Sequence, residues 1–149
     1  SKDFTLNFQN TFQQYKDQKS QIFLVERSNA NKNHNAKALV NNLENQIEAA
    51  IKLSKLGCKN VLIKGGHGNS DNINDVLVTS DGNEHIFKSN KIISTSTHGT
   101  GCSLASAIAT NLGHGIDIKQ SIKISIEYVQ NGIKNAPDFG SGNGPIRHF

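Results

Sequence analysis

Between Asn45 and Lys64 the sequence changes its periodicity, and that change limits the folds open to the chain. Ile47, Ala50 and Ile51 recur at helical spacing, and Leu56 leads into Gly57, a residue suited to ending a helix. Asn60-Val61-Leu62-Ile63-Lys64 follows, a short apolar run of the kind that forms a strand buried on both faces. A helix joined to a buried strand through a tight loop is half of an α/β unit. The α/β class is therefore expected.

The same punctuation continues. Asp75-Val76-Leu77-Val78-Thr79 reads as a strand, Ser80-Asp81-Gly82-Asn83 as a hairpin turn, and Glu84–Ile93 as the returning strand. Leu104, Ala105, Ile108, Ala109 and Leu112 mark one face of a helix ending near Gly113 or Gly115. Asp117, with Gln120 three residues on, opens a last helix whose apolar face runs Ile118, Ile122, Ile126 (with Ser125), Val129 and Ile133, and Pro137 ends it. Gly140-Ser141-Gly142-Asn143-Gly144-Pro145 reads as irregular. Residues 1–40 are rich in Asn, Gln, Lys and Ser and form a segment of separate character. Within them Gln21–Glu26 has the look of a short buried strand, and Ser28–Asn35 reads as loop or disorder.

Composition narrows the function classes. The 149 residues make one domain's worth of chain. The net charge of +4 comes from scattered Lys and Arg, with no basic run and no interleaved aromatics, so nucleic-acid binding is not expected. A mild positive balance suits an anionic small substrate or simple surface solvation. Cys58 and Cys102 stand in unrelated contexts without zinc or disulfide spacing. No apolar run is long enough to cross a membrane, and Ser1-Lys2-Asp3-Phe4 carries no signal pattern, so a cytoplasmic protein is expected. The absence of Met implies either a removed initiator or a piece of a longer chain.

The chemistry concentrates in Gly99-Thr100-Gly101-Cys102, at the mouth of an apolar helix. Glycines allow a tight turn and close approach of a ligand, and the first N–H groups of a helix lack internal partners. Together with the helix dipole they form an anion site, suited to a phosphoryl group in flight. Cys102 falls in the first helical turn, where a thiolate is favoured and could accept a proton from an alcohol. The alternative is a small buried cysteine beside glycines that only turn the chain. Lys64, at a strand end before two glycines, could lie near phosphates or simply in solvent. His98 could donate to phosphate or be structural, and a Cys–His nucleophile pair has no orienting Asn or Asp that the sequence identifies.

Val61-Leu62-Ile63-Lys64-Gly65-Gly66-His67, Asp75-Val76-Leu77, Thr97-His98-Gly99-Thr100-Gly101-Cys102-Ser103 and the ending Gly142-Asn143-Gly144-Pro145-Ile146-Arg147-His148-Phe149 resemble, in order and spacing, the C-terminal half of hydroxymethylpyrimidine/phosphomethylpyrimidine kinases of thiamine biosynthesis. These have the ribokinase-like three-layer α/β/α sandwich, of which residues 41–149 would be the C-terminal portion. The resemblance implies Cys102 as catalytic base and Gly99, Thr100, Gly101 and the Cys102 N–H as anion hole. It implies Lys64, Thr97 and His98 as ATP-binding residues, ATP and Mg2+ as cofactors, and a small pyrimidine as substrate. Pyridoxal kinases are related but usually carry Asp where Cys102 stands.

The family's Thr-Pro-Asn-x-x-Glu-like segment, which helps to organise magnesium, is missing, since the only prolines are Pro137 and Pro145. Asn41-Asn42-Leu43-Glu44 has the Asn-x-x-Glu spacing but stands too close to Lys64. The family's N-terminal half, with most of the pyrimidine pocket, is absent. The chain is therefore expected to self-associate, to need a partner chain that supplies that half, or to survive as a non-catalytic remnant binding phosphate through its turn. A truncated sheet would also leave an exposed edge.

Overall fold

The computed structural model describes residues 23–25, 42–66, 71–137, 139 and 141–148. The reading of Ser28–Asn35 and the position of His67 lie outside them. The chain divides into two compact units, residues 1–90 and 91–149.

In the first unit, β1 (Phe23–Val25) is followed by α1 (Leu43–Ser54), β2 (Val61–Ile63), β3 (Asn72–Val78) and β4 (Glu84–Asn90). The sheet order is β1-β2-β3-β4, with β1 and β2 parallel and the remaining pairs antiparallel. α1 starts because the Asn42 side chain accepts the Asn45 N–H at 2.8 Å. Of that stretch, Asn42 is thus the N-cap and Glu44 stands in the first helical turn, while Asn41 lies outside the described residues. Gly57, at φ 107°, turns the chain out of the helix in a conformation that disfavours other residues.

Ala50 of α1 packs against Val61, Ile63, Val76 and Val78, with Leu43, Ile47, Ile51 and Leu53 around them. Each such aliphatic side chain contributes about 1.5–3 kcal/mol on burial. Leu62 and Leu77 point to the opposite sheet face and are also fully buried, as the uniformly apolar run of β2 requires. The hairpin β3–β4 turns at Gly82, at φ 80°, while β4 alternates exposed and half-buried positions.

In the second unit, α2 (Thr100–Gly113) and α3 (Ile118–Lys134) form a helical hairpin. Asp117 caps α3, its Oδ1 accepting the N–H groups of Lys119 and Gln120 at 3.0 and 3.1 Å. The buried seam differs from the expected one. Leu104 and Ile108 are buried, but Ala105 and Ala109 are exposed. On α3 the buried positions are Ser121, Ile122, Ser125, Val129 and Gly132, while Ile118, Ile126 and Ile133 are half-buried.

The reason is polar. The Ser125 hydroxyl donates to the Ser121 carbonyl at 2.7 Å, and the Asn111 amide donates to Ser125 Oγ at 3.1 Å, so these small groups are satisfied where they are buried. The tail expected to be irregular is also packed: Ile146 is buried and Pro145 forms a parallel β-bridge with His98. No helix among the described residues is long and apolar enough to cross a membrane.

Candidate functional site

The glycine turn of the second unit leaves the first N–H groups of α2 without a side-chain cap. Gly99 is the N-cap of α2 with φ 81° and ψ 2°, a left-handed conformation that only glycine takes without strain. The first helical hydrogen bond runs from Ser103 N–H to the Gly99 carbonyl at 2.9 Å. The N–H groups of Thr100, Gly101 and Cys102 precede it, and no side chain caps them. No acidic residue stands in the first turn to repel a negative ligand. Thr97, His98 and Gly99 are exposed, Thr100 and Gly101 half-buried.

Cys102 is an exposed free thiol, which removes the reading of it as a small core residue. It opens onto a groove of about 550 Å³ between α2 and α3, which it lines with Ser103, Ser106, Asn111, Tyr128 and His148 among others. The Tyr128 hydroxyl and His148 Nδ1 lie 2.7 Å apart on the groove wall. His98 and Cys102 sit at the same turn, but no hydrogen bond joins their side chains among the described residues, so a Cys–His pair finds no support.

Lys64 belongs to the first unit, half-buried at the end of β2. The corner after it is tightly built. Gly65 N–H donates to Asp75 Oδ1 at 2.8 Å, and a Cβ on Gly65 would come within 2.2 Å of the Asn74 carbonyl oxygen. That oxygen also accepts from the Gln46 amide at 3.1 Å. Burial pushes the Asp75 carboxyl above the ordinary carboxylate range, opposed by the Gly65 hydrogen bond and the Lys64 charge. Asp75 lies in β3, as its place at the head of Val76-Leu77-Val78 predicts. A carboxylate opening an otherwise buried run was the one signal that it must have a partner. Tyr128 and His148 left no such signal.

Among the described residues no group of three or more His, Cys, Asp or Glu could hold a metal ion.

This fold is that of the ribokinase-like small-molecule kinases. The Staphylococcus aureus pyridoxal kinase, in its complex with AMP-PCP, superposes with a TM-score of 0.81 at 22% identity, over 94% of this chain and 51% of that one. The sequence matches the family model described as phosphomethylpyrimidine kinase over residues 21–147, and the chain belongs to that family. The match begins ahead of residues 41–149, the portion to which the motif resemblance was assigned. The thiamine biosynthesis bifunctional protein ThiED of Geobacter sulfurreducens is 42% identical over 113 residues, 75% of this chain and 23% of that protein. The hydroxymethylpyrimidine/phosphomethylpyrimidine kinase of Bacillus subtilis is 37% identical over 112 residues, 74% of this chain and 41% of that protein. The chain thus spans less than half the length of these curated relatives.

Proposed function

We propose that residues 41–149 are the phosphate-handling C-terminal part of a cytoplasmic kinase domain. The kinase transfers a phosphoryl group from ATP to 4-amino-5-hydroxymethyl-2-methylpyrimidine, to its monophosphate, or to both, in thiamine biosynthesis. The observation that carries this reading is the uncapped N-terminus of α2 behind Gly99, with Cys102 exposed at its first turn. The names of the relatives supply the substrate class.

In the proposed chemistry the acceptor oxygen attacks the γ-phosphorus of ATP and the bond to ADP breaks. The hydroxymethyl proton passes to the Cys102 sulfur as thiolate. With the monophosphate as acceptor, a phosphate oxygen attacks instead. The N–H groups of Thr100, Gly101 and Cys102 hold the charge that spreads over the transferred oxygens, with Gly99 shaping the turn. Lys64, Thr97 and His98 are assigned to the ATP phosphates. Cys102 in place of the Asp usual in pyridoxal kinases favours the pyrimidine over pyridoxal.

A second element of the reading is association, with a second copy of the chain or with a partner polypeptide. The exposure of the apolar side chains Ile93 and Phe139 supports it.

Phosphoryl transfer from ATP to the alcohol and to its monophosphate, with Cys102→Ala beside the wild type, tests the reading. Turnover that disappears in the variant establishes a working site. ATP-dependent thermal stabilisation without turnover assigns only phosphate binding to the chain, and neither effect overturns the reading.

A further inference from the structure

The segment Gly144–His148 is stitched to both sides of the second unit. At one end the His98 N–H donates to the Gly144 carbonyl at 3.1 Å, and His98 bridges Pro145. At the other the Arg147 N–H donates to the Gly132 carbonyl of α3 at 3.0 Å. Between them Ile146 is 3% exposed and lies against Gly132, where a Cβ would meet Ile146 Cδ1 at 3.2 Å and the Arg147 carbonyl oxygen at 2.7 Å. His148 then reaches Tyr128.

Gly144 itself is buried, and a Cβ there would come within 2.9 Å of Ser96 Oγ and 3.3 Å of the Phe139 carbonyl oxygen. Ser96 is 1% exposed and stands at the start of the turn, one residue before Thr97.

Gly99 has open space around its would-be Cβ, so no neighbour on that side holds its left-handed backbone. Among the described residues, the bond to Gly144 is what ties the backbone of Thr97–Cys102 to anything but its own loop and helix. We propose that Gly144–His148 is the positioning element of the anion turn, and that the close pair Gly144 and Ser96 sets where the N–H groups of Thr100, Gly101 and Cys102 point. The functional part of this proposal rests on the reading of that turn as a phosphate site.

The test is amide NMR of the full chain, with and without ATP, for Gly144→Ala and for Gly144→Ala with Ser96→Ala. Gly144→Ala shifts the amides of His98 to Cys102 in the free protein and weakens ATP binding by about tenfold or more, as displaced donors should. Ser96→Ala removes the oxygen that the new methyl meets and restores both readouts. Val129→Ala, a core truncation in α3 (7% exposed), serves as control: it lowers the melting temperature and leaves the turn amides in place. Shifts confined to residues 141–148 in Gly144→Ala, or turn shifts equally large in Val129→Ala, overturn the positioning role. If the turn amides respond to Gly144→Ala but the wild type binds no ATP, the positioning stands and the phosphate reading fails.

Discussion

The Asp75 carboxylate accepts the Gly65 N–H at 2.8 Å, so a buried acid of β3 holds the corner that follows β2. Burial raises the Asp75 pKa, and the sign of the pH effect follows. The folded protein holds this proton at pH values where the unfolded chain has lost it. Stability contributed by Asp75 is therefore full below the ordinary carboxylate range and declines as pH rises to the elevated folded value. Asp75→Asn keeps an oxygen acceptor for Gly65 and cannot ionise. Its thermal melts should match or exceed the wild type at pH 7 and lack that decline. Asp75→Ala leaves the Gly65 N–H without its acceptor and should cost about 1–3 kcal/mol.

The two glycines of the same corner should behave differently. A Cβ on Gly65 would overlap the Asn74 carbonyl oxygen at 2.2 Å, a backbone atom that cannot swing away, whereas Gly66 has open space. Gly65→Ala should destabilise the first unit by at least about 1–3 kcal/mol. Gly66→Ala should stay within about 0.5 kcal/mol of wild type, as surface changes do. Urea denaturation of both variants checks the contrast, and equal midpoints would contradict the packing described.

Gly99→Ala tests the turn through backbone conformation alone, since no atom stands in the way of the methyl. The left-handed φ of 81° should cost about 1–2 kcal/mol in an alanine. If the turn holds the phosphate, ATP affinity should fall with it, as read by calorimetry. A variant with wild-type stability would mean that the chain adopts another turn at no cost.

The two cysteines should separate on alkylation. Cys102 is exposed, while Cys58 is half-buried and its thiol is pushed up in pKa by burial. Iodoacetamide at neutral pH, followed by peptide mass analysis, should modify Cys102 first. Faster labelling of Cys58 would place Cys102 in a more enclosed site than the groove.

Tyr128→Phe removes the hydroxyl 2.7 Å from His148 Nδ1. With that hydroxyl donating, the imidazole carries its proton on Nε2. Nitrogen NMR should show the Nε2–H tautomer in the wild type and a mixture in the variant, with stability changed by no more than about 1 kcal/mol. An unchanged tautomer would mean that Tyr128 does not set it.

Local signals in the sequence carried far. Gly57, Asp81-Gly82 and Asp117 each act within a few residues, and each sits at the helix end, turn or cap that its chemistry predicts. Gly99 and Cys102 likewise stand at the helix terminus where the sequence puts them, as N-cap and in the first turn of α2. On the α3 face Ile122, Ser125 and Val129 are buried as expected, but hydropathy also favours Ile118, Ile126 and Ile133, which are only half-buried. In their place Ser121 and Gly132 go inside, small enough for close packing, with the Ser121 carbonyl accepting from the Asn111 amide. The meetings of Asp75 with Gly65, His148 with Tyr128 and Gly144 with His98 join residues far apart in sequence, and such pairs leave no periodic trace.

The bridge between His98 and Pro145 also orders events in time. The α2–α3 hairpin closes through near neighbours, which is fast, but the turn is not fastened until a segment beyond both helices returns to it. The turn is then set late in folding, and it can open locally while the hairpin stays shut. Hydrogen exchange at Thr100 to Cys102 would follow release of the tail, so one opening rate would govern the turn and the docking of Gly144–His148.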